Sequence, residues 1–192
     1  MIVDAALGGS PFLATADAGA TPVTQAEFED FYAETSRPFW GYLRRICGDR
    51  ALADDLAQEA YLRFCRARVP ESRSDWKAYL YRIGTNLAAD WWRHTGRRES
   101  SGFENASAPS PSEGRDEEAD AIRRHELDRA FSSLKPRERA LLWLAYVEGL
   151  DHREIAKALT LSRASVRVLL FRARRKLAER LERKGIGPEV LR

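Results

Sequence analysis

The sequence contains few of the residues from which metal centres, disulfide frameworks and membrane spans are built. Its 192 residues include only two cysteines and three histidines. Cys47 and Cys65 lack metal-type spacing, so we expect both to be small apolar core residues rather than ligands or a redox pair. No apolar run approaches the roughly 20 residues that a membrane span requires. These shortages argue against a metal site, a disulfide scaffold and a membrane protein.

Basic residues are absent from the N-terminal end. The first 24 residues contain no Lys or Arg and no long apolar stretch, which does not fit a secretory signal. We predict a disordered leader over residues 1–23 and expect the protein in the cytoplasm.

Charge is plentiful elsewhere but unevenly distributed. Residues 25–99 carry a net charge of +1, residues 100–126 carry −4, and residues 127–192 carry +8. A positive excess of this kind is typical of a surface that meets a polyanion such as DNA. Residues 99–118 are rich in Ser, Pro, Gly and acidic side chains, which predicts a flexible acidic linker.

Apolar residues recur at helical spacing before this linker, and no strand-like alternation occurs. Thr24 and Glu27 form a capping-box pattern at the start of a first helix, which Pro38 would either kink or divide. The next helix repeats apolar residues at four-residue steps from Leu52 to Phe64. This pattern predicts a helical bundle.

A third helix is predicted to begin at Trp76, with Asp75 as its N-cap. Its apolar stripe reaches Trp91, which we expect to lie in the core, whereas Trp92 is the better candidate for an external contact. The three helices together predict an all-α domain over residues 24–98.

The chain after the linker predicts a second all-helical domain over residues 119–184, followed by a tail over residues 185–192. Its last two helices are separated by a break at Thr160, and nine Lys or Arg stand against two Glu between Ser162 and Lys184. A short helix, a tight turn and a basic second helix are typical of a helix-turn-helix, which presents its second helix to the major groove.

Two observations leave this interpretation open. A basic amphipathic helix is also typical of a solvated face or of a membrane- or calmodulin-type surface helix. The turn, moreover, has Thr160 where many such motifs have glycine. The turn either takes another shape or does not require the left-handed conformation that glycine adopts freely.

Three longer motifs follow one another along the chain. They read GDRALADDLAQEAYLR at residues 48–63, WKAYLYRIGTNLAADWWR at residues 76–93, and LKPRER at residues 134–139, followed by the segment 149–177. In this order and spacing they resemble the bacterial RNA polymerase sigma factors of the extracytoplasmic-function type. The resemblance covers nearly everything from Phe28 to Arg183 except the linker.

The resemblance implies an all-α fold of two small domains, a region 2 helical bundle and a region 4 helix-turn-helix, joined by a flexible linker. It implies a sigma factor that binds core RNA polymerase, directs it to promoters and assists promoter opening. The expected partners are core polymerase and the minus-ten and minus-thirty-five elements of promoter DNA. An anti-sigma factor is an additional candidate partner. No cofactor is implied.

Site residues carry over from the same motifs. The polymerase-binding residues are expected to be Asp54, Asp55, Gln58, Glu59, Leu62 and Arg63. The DNA-binding residues are expected to be Asn86, Asp90, Trp92, Arg93, Arg97, Arg98, Arg163, Ser165, Arg167, Val168, Arg172 and Arg175. The segment 71–75 inherits the role of lining a pocket for one flipped base.

The recognition helix departs from the family at two positions. Val168 stands where a polar or basic residue is frequent, and Phe171 stands near a position that often holds His. Val168 could meet a thymine methyl, whereas Phe171 is less easily placed.

Other functions fit the sequence less well. A transcription regulator that works without polymerase, or an inert sigma-like adaptor, has no need of the strand-opening helix over residues 76–98. An enzyme would have to use Asp54, Asp55 and Glu59 as metal ligands, with no His or Cys to join them and no glycine-rich phosphate loop. We therefore expect no catalytic or metal-binding residues.

The linker suggests one further hypothesis. Its acidic residues could transiently cover the basic recognition helix while polymerase is absent; the alternative is that they merely keep the linker soluble and extended. The residues concerned are Asp116, Glu117, Glu118 and Asp120.

Overall fold

The described part of the protein consists of helices and contains no β-strand. The structure, a computed structural model, describes residues 23–95 and 125–186. The first range holds α1 (Gln25–Cys47), α2 (Arg50–Arg66) and α3 (Arg73–Thr95); the second holds α4 (residues 125–132), α5 (Pro136–Tyr146), α6 (His152–Leu159) and α7 (Arg163–Glu182). The predicted all-α fold is confirmed. The predicted linker lies outside the described residues, as do most of the leader and the tail, so the domain boundaries stay predictions.

α1 is one continuous helix despite its internal proline. The Thr24 hydroxyl accepts from the Glu27 N–H at 3.4 Å, and the Glu27 carboxylate accepts from the Thr24 N–H at 3.0 Å, which confirms the capping box. Pro38 lies inside the helix, and Gly48 ends it with a φ of 80°. Of the two possibilities left open by the sequence, division of the helix at Pro38 is wrong.

α3 begins earlier than predicted. The helix starts at Arg73, and Asp75 lies in its first turn instead of capping it. The Asp75 N–H donates to the Ser72 carbonyl at 2.9 Å, and its carboxylate accepts from Lys157 of α6 at 2.6 Å. The Asp75 side chain therefore pairs with a distant helix and does not form the local N-cap that the sequence pattern predicts.

Aromatic rings fill the core of α1, α2 and α3. Phe31 stacks on Phe64 with ring centroids 4.8 Å apart, and Trp76 meets both rings edge-on at 5.6 Å. α3 approaches Phe39 so closely at Gly84 that an added Cβ would lie 2.6 Å from a ring carbon. Such contacts set the spacing of the three helices.

The two cysteines have different environments. Cys47 is buried, and burial raises the pKa of its thiol to about 12, as expected for an inert core cysteine. Cys65 is exposed, so its assignment to the core was wrong. It follows Phe64 on α2 and is therefore rotated about 100° away from the apolar stripe.

α7 packs one stripe of its surface against α5 and α6. The buried residues of the stripe are Val166, Leu170, Ala173 and Leu181. Lys176 adds a polar tie by donating to both carboxylate oxygens of Glu138 at 2.8 and 2.9 Å. Burial acts to raise the pKa of Glu138, but hydrogen bonds from Lys176 and from the Lys135 N–H outweigh it, and the pKa lies below its usual value.

The turn between α6 and α7 is built on a strained residue. Thr160 has φ 51° and ψ 53°, in the left-handed region, and the next N–H, that of Leu161, donates to the Ala156 carbonyl at 2.9 Å. The turn therefore does require the left-handed conformation. A β-branched residue is sterically strained in this left-handed conformation, whereas glycine is not.

We predict that Thr160→Gly raises the free energy of unfolding by about 1 kcal/mol, because glycine removes the Cβ clash. Chemical denaturation measures the change. Ala178→Gly, at an exposed position within α7, is the control and should lower stability by about 0.5–1 kcal/mol. A Thr160→Gly protein no more stable than the parent would contradict the idea that the turn is strained.

Candidate functional site

The outer face of α2 presents the predicted polymerase-binding residues together. Asp54, Asp55 and Gln58 are exposed, and Leu62 keeps 49% of its surface in water. The Trp40 indole of α1 donates to the Asp54 carboxylate at 2.6 Å. The face is thus acidic with an apolar centre.

Two of these residues are paired with each other. Arg63 donates to the Glu59 carboxylate at 2.6 Å, four residues apart on the helix. Both side chains are about half exposed, so the pair contributes little to stability and can be exchanged for other partners.

A groove between α1 and α2 borders this face. Its volume is about 950 Å³. The residues that line it include Tyr32, Trp40, Gln58, Tyr61, Leu62 and Cys65. Sequence reasoning missed the contribution of α1. The signal was present, because Phe28, Tyr32 and Trp40 recur at multiples of four residues and form a second aromatic stripe beside the core stripe.

The far end of α3 carries the predicted minus-ten residues. Asn86 is exposed, and the Asp90 carboxylate accepts a hydrogen bond from Arg93. The rings of Trp91 and Trp92 meet edge-on, with centroids 5.0 Å apart. Both tryptophans are half-buried, so the prediction that Trp91 lies in the core is wrong, whereas the DNA contact of Trp92 stays a prediction. Arg97 and Arg98 lie outside the described residues.

The segment 71–75 is anchored next to Trp76, and most of its residues are exposed to solvent. The Trp76 indole donates to the Pro70 carbonyl at 2.7 Å, and the Arg73 guanidinium lies 5.7 Å from the centre of the Trp76 ring. Residues 71–74 are exposed. This anchoring leaves their side chains available to a ligand.

α6 and α7 form a helix-turn-helix. Asp151 caps α6 by accepting from the N–H groups of Glu154 and Arg153, which hold its pKa below the usual value. Ser162 caps α7 by accepting from the Ser165 N–H at 3.1 Å, and the two hydroxyls share a hydrogen bond of 2.7 Å. The caps fix where the recognition helix starts.

The exposed face of α7 carries the remaining predicted residues. Arg163, Arg167, Val168 and Arg172 are exposed, whereas Ser165 is half-buried beside the cap. Arg175 donates to Glu179 at 2.9 Å, with both side chains at least half in water. The predicted sites therefore form three surfaces, on α2, α3 and α7.

Charged contacts join the helices before the gap to those after it. The Lys77 ammonium lies 3.0 Å from the Glu148 carboxylate, which also accepts from the Trp143 indole at 3.0 Å. Asp75 pairs with Lys157, as described above. A third ion pair, Arg45 with Asp128, has a length of 2.7 Å.

Some arrangements do not occur in the part of the chain that the structure describes. Within residues 23–95 and 125–186, no three His, Cys, Asp or Glu side chains are grouped so as to hold a metal ion. No helix in these ranges is both long and apolar enough to cross a bilayer.

Comparison with known proteins agrees with the geometry. The family described as Sigma-70 region 2 matches residues 31–98, and Sigma-70 region 4 matches residues 124–177. The RNA polymerase sigma factor CarQ of Myxococcus xanthus is 32% identical over 158 residues, which cover 82% of this chain and 90% of CarQ. The ECF RNA polymerase sigma factor SigE of Mycolicibacterium smegmatis is 28% identical over 93% of this chain and 69% of its own length.

The chain belongs to the extracytoplasmic-function sigma factors of RNA polymerase. Its function is promoter-specific initiation of transcription by that enzyme. Sigma factors bind core RNA polymerase and promoter DNA, and are initiation factors that are generally not enzymes.

The fold of this sigma factor is shared with solved structures. RpoE of Bartonella quintana, solved with the anti-sigma factor NepR, superposes with a TM-score of 0.63 at 18% identity, over 81% of this chain and 97% of that one.

Proposed function

We propose that this sigma factor docks on core polymerase through the outer face of α2, and that it reads its promoter with the end of α3 and the exposed face of α7. The observation that carries the proposal is the opposite charge of two exposed faces on one small protein. The α2 face presents Asp54 and Asp55, and the α7 face presents five arginines. An acidic face suits a basic protein helix, and a basic helix in a helix-turn-helix suits DNA.

The α2 face has the anatomy of a protein interface. Leu62 is an exposed apolar residue, and Glu59 and Asp55 lie one and two helical turns before it. The aromatic groove between α1 and α2 continues the same surface, so we extend the proposed docking site to Tyr32 and Trp40. Aromatic anchors with a polar rim are typical of protein–protein contacts.

Promoter opening is assigned to α3 and the segment before it. Flipped bases need stacking surfaces and edge contacts, each stacked base contributing roughly 1–3 kcal/mol. The Trp91–Trp92 pair offers aromatic surface, Asn86 offers hydrogen bonds, and residues 71–74 offer polar side chains. Arg93 would exchange its contact with Asp90 for phosphate.

The protein would act in the cytoplasm and without catalysis. We also propose an anti-sigma factor as a further partner, because RpoE, which shares this fold, is bound to one in its structure. The acidic residues of the proposed linker cover, Asp116 to Asp120, lie outside the described residues, so that hypothesis stays a prediction.

The protein consists of two helical units, residues 23–95 and residues 125–186, which pack against each other. These units have to separate when the protein binds a promoter. The names of the two elements place them about 25 base pairs apart, which is roughly 85 Å of B-form DNA. A compact body with the described number of residues is only roughly 40 Å across. The 29 residues between the described ranges can span up to roughly 100 Å when extended. One protein can therefore reach both elements only after its two units separate.

We predict that reversing three charges on the α2 face, with Asp54→Lys, Asp55→Lys and Glu59→Lys, weakens binding to core polymerase by at least tenfold. Like charges facing a basic partner helix cost several kcal/mol in related interfaces. Fluorescence titration with purified bacterial core RNA polymerase measures the affinity.

The matched control for that variant reverses three exposed carboxylates away from the proposed docking site: Asp30 and Glu34 on α1, and Glu182 at the end of α7. It changes the net charge equally and should bind nearly as the parent does. Equal losses in both triple variants would mean that only overall charge matters, and no loss in either would remove polymerase docking from this face.

We predict that Arg172→Ala lowers the slope of log affinity against log salt concentration by roughly one on a promoter duplex, because one phosphate contact is lost. Arg175→Ala should do the same. The measurement uses holoenzyme and a duplex that it selects from a random pool. Arg50→Ala, exposed at the start of α2, is the control with an unchanged slope. Unchanged slopes for both α7 variants would make these arginines a solvated face.

We predict that core polymerase separates the two units. Dyes on Ala26→Cys in α1 and Ala178→Cys in α7, in a Cys65→Ser background, report the distance by energy transfer, because both positions are exposed and Cys47 is buried. Transfer should be efficient in the free protein and should fall when polymerase binds. Transfer that does not change on binding would contradict the opening.

The same dyes test what holds the free protein closed. Lys77→Met leaves the Glu148 carboxylate, 3% exposed, without its cation. The cost should be about 2 kcal/mol, less than the roughly 3–5 kcal/mol of a fully buried pair, because the Lys77 side chain is 35% exposed. Transfer should fall in this variant and recover when Glu148→Gln is added, since Gln keeps the Trp143 hydrogen bond without a charge.

A further inference from the structure

An apolar stripe runs along the centre of the exposed face of α7. Ala164, Val168 and Phe171 are separated by four and three residues, so they lie one above the other on the helix. Val168 is 49% exposed and Phe171 is 58% exposed. Single exposed apolar residues are ordinary, but a run of three on the most basic helix of the protein calls for an apolar ligand group.

Arginines flank this stripe on both sides. Arg167 precedes Val168 by one residue and is rotated about 100° from it around the helix axis. Arg172 follows Phe171 by one residue and is rotated about 100° from it in the opposite direction. Neither guanidinium forms an ion pair with any residue that the structure describes, whereas Arg175 at the end of the stripe is paired with Glu179. The exposed face of α7 therefore has an apolar strip along its middle and a cation on each side of that strip.

The major groove of B-DNA has the complementary cross-section. Phosphates line both of its walls, about 12 Å apart, and its floor presents one apolar group, the C5-methyl of thymine. A protein partner fits less well, because it would have to supply carboxylates on both sides of an apolar ridge.

We propose that Ala164, Val168 and Phe171 read thymine methyl groups in the minus-thirty-five element, while Arg167 and Arg172 hold the phosphates of the two strands. This inference rests on the proposed use of α7 for promoter binding, and it adds that α7 selects thymine. The stripe covers about 10 Å along the helix axis at 1.5 Å per residue. It therefore selects two or more thymines, on either strand, within about three base pairs.

Deoxyuridine provides the test, because it lacks only the C5-methyl and keeps the base pairing and the phosphates of thymidine. Holoenzyme first selects duplexes from a pool with a randomised minus-thirty-five window. The winning duplex is then made again with deoxyuridine for each thymidine in that window. We expect affinity to fall about fourfold for each methyl that the stripe contacts.

Protein variants connect the effect to the stripe. Val168→Ala with Phe171→Ala should lose most of the preference for thymidine over deoxyuridine, because only small alanine side chains then face the methyl groups, and the exposure of both residues makes this variant compatible with folding. Tyr146→Ala is the matched control, since Tyr146 is an aromatic residue of α5 that is 60% exposed. It should keep the full preference for thymidine.

Each outcome separates the inference from the function on which it rests. A selected window without thymine, or a parent protein indifferent to deoxyuridine, overturns the methyl contacts and leaves promoter binding intact. A double variant that keeps the thymidine preference assigns the methyls to other residues and also overturns the inference. Selection of no sequence at all overturns promoter reading by α7 as well.

Discussion

The buried guanidinium of Arg139 is the interaction on which the relative position of the two helical units depends. The residue is 2% exposed and donates to the Ile46 carbonyl of α1 at 2.5 Å and to the Ser132 carbonyl at 3.1 Å. Burial lowers the pKa of Arg139, but an arginine stays charged at neutral pH. The negative end of α1 therefore receives a cation from the other unit. The contact thus stabilises the register in which α1 and α5 pack.

Charged and apolar contacts both cross the rest of this interface. Glu148 lies between Lys77 and Trp143, and Lys157 reaches Asp75. The Trp143 ring of α5 also lies beside Gly41 of α1, and buried residues of both units belong to one hydrophobic cluster. Water can replace the charged contacts at modest cost when the units separate, whereas exposing the apolar surface costs roughly 25 cal/mol for each Å². The apolar part of the interface therefore opposes opening, and contacts with polymerase would have to offset it.

Local features were predictable from the sequence and non-local ones were not. The Thr24 capping box and the helix that carries the apolar repeat from Leu52 to Phe64 each depend on residues within a few positions of one another, and both appear as predicted. Asp75 was misassigned because its partner, Lys157, is 82 residues away. The exposure of Cys65 was predictable, because the residue lies about 100° from the apolar stripe of α2. Trp91 lies at the end of an apolar stripe, where burial depends on the neighbouring elements. The aromatic groove next to α2 required the packing of two helices before it could be seen.

The same packing explains what closure can and cannot regulate. The contacts between the units use α4, α5, α6, the start of α3 and the second half of α1, whereas the outer face of α2 and the stripe on α7 stay exposed in the closed arrangement. Closure therefore does not hide either proposed recognition face. It holds the end of α3 and the stripe on α7, which are the two proposed promoter-reading surfaces, closer together than the two promoter elements are. A free protein of this kind could touch polymerase with one face, or DNA with the other, but could not bridge both promoter elements. The energy for opening would then come from the contacts that polymerase makes with each unit separately, which makes promoter recognition conditional on assembly.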